Sequence, residues 1–212
     1  MKFNKIVALA FAAVLGFGAQ TANAQSLSPS TKWHWDKGTI VVETPARPAG
    51  QKNVLGLKLP KYKTVRIGLV GLGMRGPGAV DNFCVLPGVE IVALCDFVEA
   101  RAVAQNEKLR KRGLPPAAIY SGENGYKELC ARPDIDLVYI ATDWAHHFPV
   151  AECALKHGKN VADEVPSAMN LEECWKLVDL SEKMQKNCMI LENCCYDWFE
   201  MRTLNMAQHG VF

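Results

Sequence analysis

The chain has 212 residues, of which 49% are hydrophobic and 22% charged, a composition that supports one well-buried domain and excludes an intrinsically disordered protein. Its formal net charge is +2, with 24 basic and 22 acidic residues, and it has no run of five or more Lys or Arg. Nucleic acid and anionic membrane surfaces are therefore not indicated as partners.

The N-terminus has the layout of a cleavable secretory signal. Lys2 and Lys5 precede an apolar run from Ile6 to Ala19, and Ala22-Asn23-Ala24 follows as a small-residue cleavage site. The run is shorter than the ~20 residues that span a bilayer, which disfavours the alternative of an anchoring helix. We predict that residues 1–24 are removed and that the protein is exported, either to the periplasm or out of the cell. The mature chain would then have 22 basic and 22 acidic residues and no net charge.

The eight cysteines do not require a disulfide framework. Four of them lie inside apolar segments: Cys95, Cys130, Cys153 and Cys174. Cysteine in such segments usually behaves as a small buried hydrophobe, so we favour free, buried thiols over disulfides. Cys194 and Cys195 are adjacent, and no Cys or His partner stands at zinc-site spacing, so no metal site is predicted.

Two regions follow the signal. Residues 25–62 contain Ser, Pro, Lys and Gly with little periodicity, and we predict an extended lead-in there, held in place by Trp33 and Trp35. From Val65 onward, short apolar runs alternate with amphipathic stretches, which is the pattern of βαβ units and a parallel sheet. The predicted strands are Val65–Val70, Val89–Cys95, Ala118–Tyr120, Leu137–Ala141, Asn160–Asp163 and Cys188–Leu191. The predicted fold is thus α/β, a doubly wound Rossmann sheet over residues 63–196.

The clearest predicted helix covers residues 170–186. Asn170 is expected to cap it, and Glu173 stands at the capping-box position. Residues at helical spacing are predicted to share one face of this helix. They are Leu171, Cys174, Trp175, Val178 and Ser181.

The end of the chain predicts one more helix and the beginning of a strand. Residues 197–209 are expected to be helical, and Gly210 suits the C-terminal cap. Val211 and Phe212 resemble the opening of a strand, which alone would have nothing to pair with. We therefore expect residues 197–212 to be the start of a second, α+β substrate domain that is largely missing here.

A glycine-rich sequence follows the strand Val65–Val70 directly. Residues 71–76 match the Gly-x-Gly-x-x-Gly fingerprint of dinucleotide sites and open a helix, as that fingerprint requires. Gly71 permits the tight turn, Gly73 lets the backbone approach a pyrophosphate, and Gly76 allows close packing of helix and strand. The free N–H groups of the helix N-terminus would face the anion.

A carboxylate lies where the same fingerprint expects one. Asp96 ends the second predicted strand, 20 residues after Gly76, where it can accept hydrogen bonds from the adenosine ribose hydroxyls. Its charge would repel a 2′-phosphate, so the pattern predicts NAD rather than NADP as the cofactor. A solvated aspartate at a strand end is the alternative. Inside the loop, Arg75 is either a phosphate contact or a solvated side chain.

Polar residues also follow the strand Leu137–Ala141, at the edge of the sheet where α/β proteins bind ligands. The segment there is Thr142-Asp143-Trp144-Ala145-His146-His147. Its position favours a role in binding. The alternatives are core packing for Trp144 and a surface position at a helix start for His146.

The last candidates follow the strands Asn160–Asp163 and Cys188–Leu191. Asp163 and Glu164 bring two carboxylates near the expected nicotinamide end of the cleft. Strand side chains alternate between faces, so only one should point inward; we favour Glu164, and Asp163 is equally well read as a solvated charge. Asn193 is either a ligand of the cofactor's carboxamide or ribose, or a turn residue.

Together these segments resemble the glucose–fructose oxidoreductase, inositol dehydrogenase and MocA (Gfo/Idh/MocA) family over roughly residues 64–210. The resemblance is carried by Gly71 to Gly76, Asp96, Thr142 to His147 and Glu164-Val165-Pro166. Most oxidoreductases of this family have Glu-Lys-Pro in the last block, and their Lys takes part in proton transfer. Val165 occupies that position here, which weakens a dehydrogenase interpretation.

Three segments resemble the sequences of one branch of this family, the NAD-dependent glycosidases of glycoside hydrolase family 109. They are residues 71–80, Glu164-Val165-Pro166 and residues 191–196. The known activity of that branch is α-N-acetylgalactosaminidase. The resemblance implies NAD contacts at Met74, Arg75, Asp96, Trp144, Ala145, His146, His147, Glu164, Val165 and Asn193. At Ala145 and His146 the sequence departs from the Trp-Glu-Trp-His motif that is usual in this branch.

The resemblance also implies a redox-neutral mechanism, in which hydride leaves sugar C3, the aglycone is eliminated across C1–C2, water adds and hydride returns. The implied partner is a small molecule or glycan with a terminal α-N-acetylgalactosamine. Catalytic residues of the branch lie in its second domain, so within this chain the candidates are only His147 and Glu164. The alternatives are an NAD-dependent sugar oxidoreductase and a non-catalytic NAD-binding fragment, and a homo-oligomer stays open.

Overall fold

The computed structural model describes residues 32–43, 47 and 51–211. The predicted signal, residues 1–24, and the predicted strand residue Phe212 lie outside the described residues. The chain divides into two compact units, and the boundary between them follows Arg47.

The described part of the first unit is an antiparallel hairpin. Its strands are β1 (Lys32–Asp36) and β2 (Thr39–Glu43). The turn residues Lys37 and Gly38 both have positive φ, which is the geometry of a type I′ turn between twisted strands. The side chains of Trp33 and Trp35 are exposed. An extended lead-in was predicted for this stretch, and the Lys-Gly turn between two β-prone runs is the signal that indicates the hairpin instead.

The second unit contains a parallel six-stranded sheet with the order β5-β4-β3-β6-β7-β8. Its strands are β3 (Val65–Val70), β4 (Val89–Asp96), β5 (Ala118–Ser121), β6 (Leu137–Ile140), β7 (Asn160–Asp163) and β8 (Cys188–Ile190). This is the Rossmann order, which confirms the predicted fold class. The predicted strands agree with the observed ones to within one residue at each end.

Helices cover both faces of the sheet. They are α1 (Gly76–Phe83), α2 (Glu99–Lys111), α3 (Gly125–Ala131), α4 (Trp144–Lys156), α5 (Leu171–Met184) and α6 (Trp198–Gln208). One apolar cluster joins the sheet to α1 and α2, and it includes Leu69 and Val80. The other joins the opposite face to α3, α4 and α5, and it includes Val70 and Leu155. Leu69 and Val70 face opposite ways because side chains alternate along a strand.

The predicted cap of α5 is confirmed, but only Ser181 of its predicted face is fully buried. Asn170 accepts a hydrogen bond from the Glu173 N–H at 2.9 Å. The buried positions of this helix are Leu177, Ser181 and Glu182, whereas Leu171, Cys174 and Val178 are exposed. The helix packs at the edge of the sheet. Leu177 belongs to the buried apolar cluster there, whereas the neighbouring side chains Leu171, Cys174 and Val178 do not.

All eight cysteines are free, as predicted. Cys95 and Cys130 are buried and Cys153 is half-buried. Cys174 is exposed, against the prediction, because it lies on the outward stripe of α5.

The helix predicted near the end of the chain is present as α6. Asp197 stands at its N-cap position, and Gly210 follows it with a φ of 71°. None of its residues is buried, and Trp198 and Phe199 are exposed. In the described part of the chain, no helix has the length and apolarity needed to cross a membrane.

Candidate cofactor site

A cavity of about 760 Å³ lies at the carboxyl edge of the sheet, around the point where strand order reverses between β3 and β6. Open α/β sheets bind ligands at this switch point. The predicted site residues that line the cavity are Gly71, Gly73, Met74, Arg75, Asp96, Trp144, His146, His147, Glu164, Val165 and Asn193. Gly76 and Ala145 do not line it.

The three glycines of the loop have different surroundings. Gly71 has a φ of 92°, and a Cβ there would overlap the backbone of Ala141. A Cβ on Gly76 would overlap the Gly71 carbonyl oxygen, so this glycine closes the loop on itself. A Cβ on Gly73 would meet only the Arg101 guanidinium, with Nη1 at 3.6 Å. The backbone at Gly73 is therefore the one that a ligand in the cavity can approach.

The beginning of α1 and the exposed part of the loop complete the phosphate side of the cavity. Arg75 is the N-cap residue of α1 and provides no side-chain cap to the helix N–H groups. Its guanidinium donates instead to Asn193 Oδ1 at 3.1 Å, which links the loops that follow β3 and β8. Met74 is 96% exposed.

Asp96 is buried, so the solvated alternative is wrong. The Leu72 N–H donates to its Oδ2 at 2.7 Å, and the Val98 N–H donates to its Oδ1 at 2.9 Å. Arg101 Nη1 lies 3.4 Å from the same Oδ1. The carboxylate thus holds the glycine loop in place as well as facing the cavity.

Asp143 organises the start of α4 as its N-cap. Its Oδ1 accepts from the Ala145 N–H at 3.0 Å, and His146 Nδ1 lies 2.7 Å from Oδ2. The hydrogen bond from His146 lowers the pKa of Asp143. Trp144 is exposed at the cavity, so core packing is wrong for it. His146 is both a surface residue at a helix start and a cavity residue.

His147 and Asp163 form a buried pair beside the cavity, with side chains 2% and 0% exposed. His147 Nδ1 lies 2.6 Å from Asp163 Oδ1, and Nε2 lies 3.2 Å from the Thr142 carbonyl oxygen. A carbonyl only accepts, so Nε2 carries a proton. Burial lowers the pKa of His147, but the hydrogen bond and charge of Asp163 outweigh this and the pKa is raised.

The two adjacent carboxylates play different roles. Glu164 lines the cavity, as predicted, and the Tyr139 hydroxyl donates to its Oε1 at 2.9 Å. Asp163 is fully buried rather than solvated, and burial raises its pKa, although the hydrogen bond from His147 opposes the shift. Burial and the contact with Glu164 likewise raise the pKa of Tyr139.

Tyr139 and Arg101 were not predicted as site residues. Tyr139 stands inside an apolar strand, where its hydroxyl needs a buried partner, and that need is the only signal in the sequence. Arg101 reaches the cavity from α2 and has no signal of its own. Among the residues that the structure describes, no group of three or more His, Cys, Asp or Glu could hold a metal ion.

This arrangement suits a dinucleotide. The open backbone at Gly73 and the uncapped start of α1 match a pyrophosphate, and the region of Asp96 lies where the adenosine ribose is bound in such folds. The second unit is an NAD-binding Rossmann domain. Residues 65–192 match the model of the Gfo/Idh/MocA oxidoreductase family, described as having an NAD-binding Rossmann fold, and the chain belongs to this family.

The chain is also similar to individual proteins. A glycosyl hydrolase family 109 protein of Phocaeicola vulgatus is 68% identical over 193 residues, which cover 91% of this chain and 37% of that protein. A second one from the same organism is 61% identical over the whole chain and 42% of its own length. The chain therefore spans about two fifths of these relatives. Among solved structures, myo-inositol dehydrogenase of Lactobacillus casei, in complex with NAD(H) and myo-inositol, is 28% identical with a TM-score of 0.60, covering 69% of this chain and 42% of that one.

Proposed function

We propose that this domain is the cofactor-binding half of an NAD-dependent glycosidase that acts on terminal α-N-acetylgalactosaminides without net oxidation. The observation that carries the proposal is the 68% identity with a protein named for glycosyl hydrolase family 109, across nearly the whole chain. Val165 adds support, because its side chain has no proton to exchange with a sugar hydroxyl at the position where sugar dehydrogenases of the family have lysine.

The residues of the cavity would hold the cofactor in an extended pose. Gly73 and the N-terminus of α1 would bind the pyrophosphate, and the region around Asp96 would bind the adenosine ribose. Trp144 and Glu164 would border the nicotinamide half. When bound, NAD would supply a hydride acceptor and donor for sugar C3. The ketone at C3 would make the C2 proton acidic enough for elimination of the aglycone.

His147 and Asp163 would position the loop around the nicotinamide half. The Nε2–H of His147 holds the Thr142 carbonyl, and Asp163 keeps the imidazole in the orientation this contact requires. Of the two candidates His147 and Glu164, only Glu164 is placed to move a proton within this chain, because His147 is buried with both ring nitrogens engaged. Tyr139 fixes the carboxylate of Glu164.

We also propose that the protein is exported. The apolar run at residues 6–19 and the Ala22-Asn23-Ala24 site support this. A glycosidase that recycles its hydride in each turnover needs no supply of cofactor outside the cytoplasm. Cell fractionation and sequencing of the mature N-terminus test it: a start at Gln25 in the periplasmic or secreted fraction is expected, and protein with an intact Met1 confined to the cytoplasm would contradict it.

A sugar oxidoreductase is the second candidate, favoured by the similarity to an inositol dehydrogenase. A chimeric protein distinguishes the two candidate functions. It joins residues 1–210 of this chain to the remaining C-terminal part of the Phocaeicola vulgatus protein that is 68% identical. We expect it to release the aglycone from a chromogenic α-N-acetylgalactosaminide with no net NADH. Net NADH formation from a free sugar, without aglycone release, would support the oxidoreductase instead. We expect the 212-residue chain alone to release nothing.

A further inference from the structure

Two cysteines meet between α3 and α4. Cys130 of α3 is buried in the apolar cluster on that face of the sheet, and the half-buried Cys153 of α4 packs against the same cluster. Both thiols are free, and they are hydrogen-bonded to each other. Thiols in hydrogen-bond contact need only a short approach of their sulfur atoms to reach the S–S bond length of about 2.05 Å.

The surroundings of the two sulfur atoms are unequal. His157 Nδ1 lies 3.8 Å from Cys153 Sγ and 2.8 Å from the Cys153 carbonyl oxygen. A carbonyl only accepts, so Nδ1 carries a proton and is a donor beside this sulfur. The hydrogen bond from Cys130, aided by His157, outweighs burial and lowers the pKa of Cys153 to about 6. The same hydrogen bond, together with burial, raises the pKa of Cys130.

Access from solvent differs between the two cysteines in the same sense. Cys130 is fully buried, whereas Cys153 is half-buried and its neighbour His157 is exposed. A reagent in solution can therefore reach Cys153 and not Cys130. An accessible thiolate beside a buried thiol is the arrangement that thiol–disulfide exchange requires, because the first group attacks and the second resolves the mixed disulfide.

We propose that Cys130 and Cys153 are a dithiol pair that closes to a disulfide by exchange with a disulfide oxidant. The Cys153 thiolate attacks one sulfur of the oxidant, whose S–S bond breaks and whose other sulfur leaves as a thiolate. Cys130 then attacks Cys153 Sγ, and its proton passes to the second departing sulfur. The pair loses two electrons, and the oxidant becomes one thiol and one thiolate. Oxidants of this class occur in the compartments to which export would bring the chain.

The new bond would connect two helices that line the cofactor cavity. Tyr126 of α3 and Val150 of α4 are lining residues, whereas Cys130, Cys153 and His157 do not line the cavity. The disulfide restricts the unfolded chain and so stabilises the domain. The inference is thus independent of cofactor binding, since no reacting group belongs to the cofactor site.

Oxidation of the reduced 212-residue chain with oxidised glutathione, followed by acid quenching, alkylation and peptide mapping, tests this. We expect the peptides of Cys130 and Cys153 to be joined, with the loss of both free thiols. For unfolding, the exposed Cys174, Cys194 and Cys195 are replaced by Ser so that they carry no adducts. The urea midpoint of this protein should rise on oxidation by about 1 M and return on reduction.

Three variants separate the roles of the two cysteines. Cys130→Ser should retain glutathione as a mixed disulfide on Cys153, because no thiol resolves it. Cys153→Ser should leave Cys130 as a free thiol. Cys84→Ser is the matched control, since Cys84 is also half-buried but contacts Arg112 rather than a second thiol. It should form the disulfide between Cys130 and Cys153 as completely as the unmodified chain.

Three results would overturn the inference. Free thiols at both positions after oxidation would show that the pair does not react, and glutathione retained on Cys153 of the unmodified chain would show that Cys130 does not resolve it. A bond that forms only in urea would show that the native contact is not used. Circular dichroism of each protein verifies that the sheet is intact. None of these results bears on the cofactor site, which titration with NAD tests separately.

Discussion

His147 and Asp163 meet in a buried contact, with Nδ1 at 2.6 Å from Oδ1 and side chains 2% and 0% exposed. Removal of one partner from a buried pair leaves a charge without compensation, so we expect Asp163→Asn to lower the free energy of unfolding by about 3 kcal/mol. The raised pKa of His147 sets the sign of the pH dependence. The stabilisation is fully present below the unfolded-state pKa of His, about 6.5, and is lost as pH rises through the folded-state pKa.

Urea unfolding of the unmodified chain and of Asp163→Asn at about pH 6 and about pH 9 tests this linkage. The difference between the two proteins should shrink at the higher pH. Asp143→Asn is the control, since Asp143 and His146 form an exposed pair, and it should cost about 1 kcal/mol or less. A difference that grows with pH would contradict the account of the pair.

Gly71 and Gly73 should respond differently to the same substitution. Gly71→Ala brings a Cβ into the Ala141 backbone at a φ of 92°, so we expect a loss of about 2 kcal/mol or more in the free energy of unfolding. Gly73→Ala meets only the end of a flexible side chain, so its cost should stay below about 1 kcal/mol. Equal costs in chemical denaturation would mean that the loop does not depend on the contact with Ala141.

At the scale of elements, α6 contributes little to the stability of the sheet. None of its residues is buried, and its apolar side chains, including Trp198, Phe199 and Leu204, are exposed. We expect truncation after Tyr196 to change the free energy of unfolding by less than about 1 kcal/mol and to reduce concentration-dependent association, because exposed apolar patches drive association. Urea unfolding and sedimentation velocity measure the two effects. A large loss of stability would show that α6 packs on the domain.

The positions of the strands were predictable because parallel strands buried on both faces are continuous apolar runs, as in Val65–Val70. The buried face of α5 was not predictable, because this helix has apolar residues on more than one side and tertiary packing decides that Leu177 is buried. The hairpin was overlooked although Lys37 and Gly38 mark its turn.

The site was predictable where a motif determines the backbone, as at Gly71 and Gly73. It was not predictable where a contact joins distant parts of the chain. Tyr139 of β6 meets Glu164 after β7, and His147 of α4 meets Asp163 at the end of β7. Spacing along the sequence contains no trace of such contacts.

At the scale of the whole molecule, the 212-residue chain contains the sheet, the glycine loop and the cavity that a dinucleotide requires, and it spans about two fifths of its glycosyl hydrolase relatives. NAD binding depends on residues that the structure describes and can be measured on this chain.

Calorimetric titration of NAD into the 212-residue chain and into Gly73→Val is the most direct measurement of the central claim. The open backbone at Gly73 is where the pyrophosphate approaches, so a valine side chain would occupy its space. We expect saturable binding of one NAD to the unmodified chain and none to a Gly73→Val protein whose circular dichroism is unchanged. Unaltered NAD affinity in the folded variant would contradict the assignment of this cavity as the cofactor site.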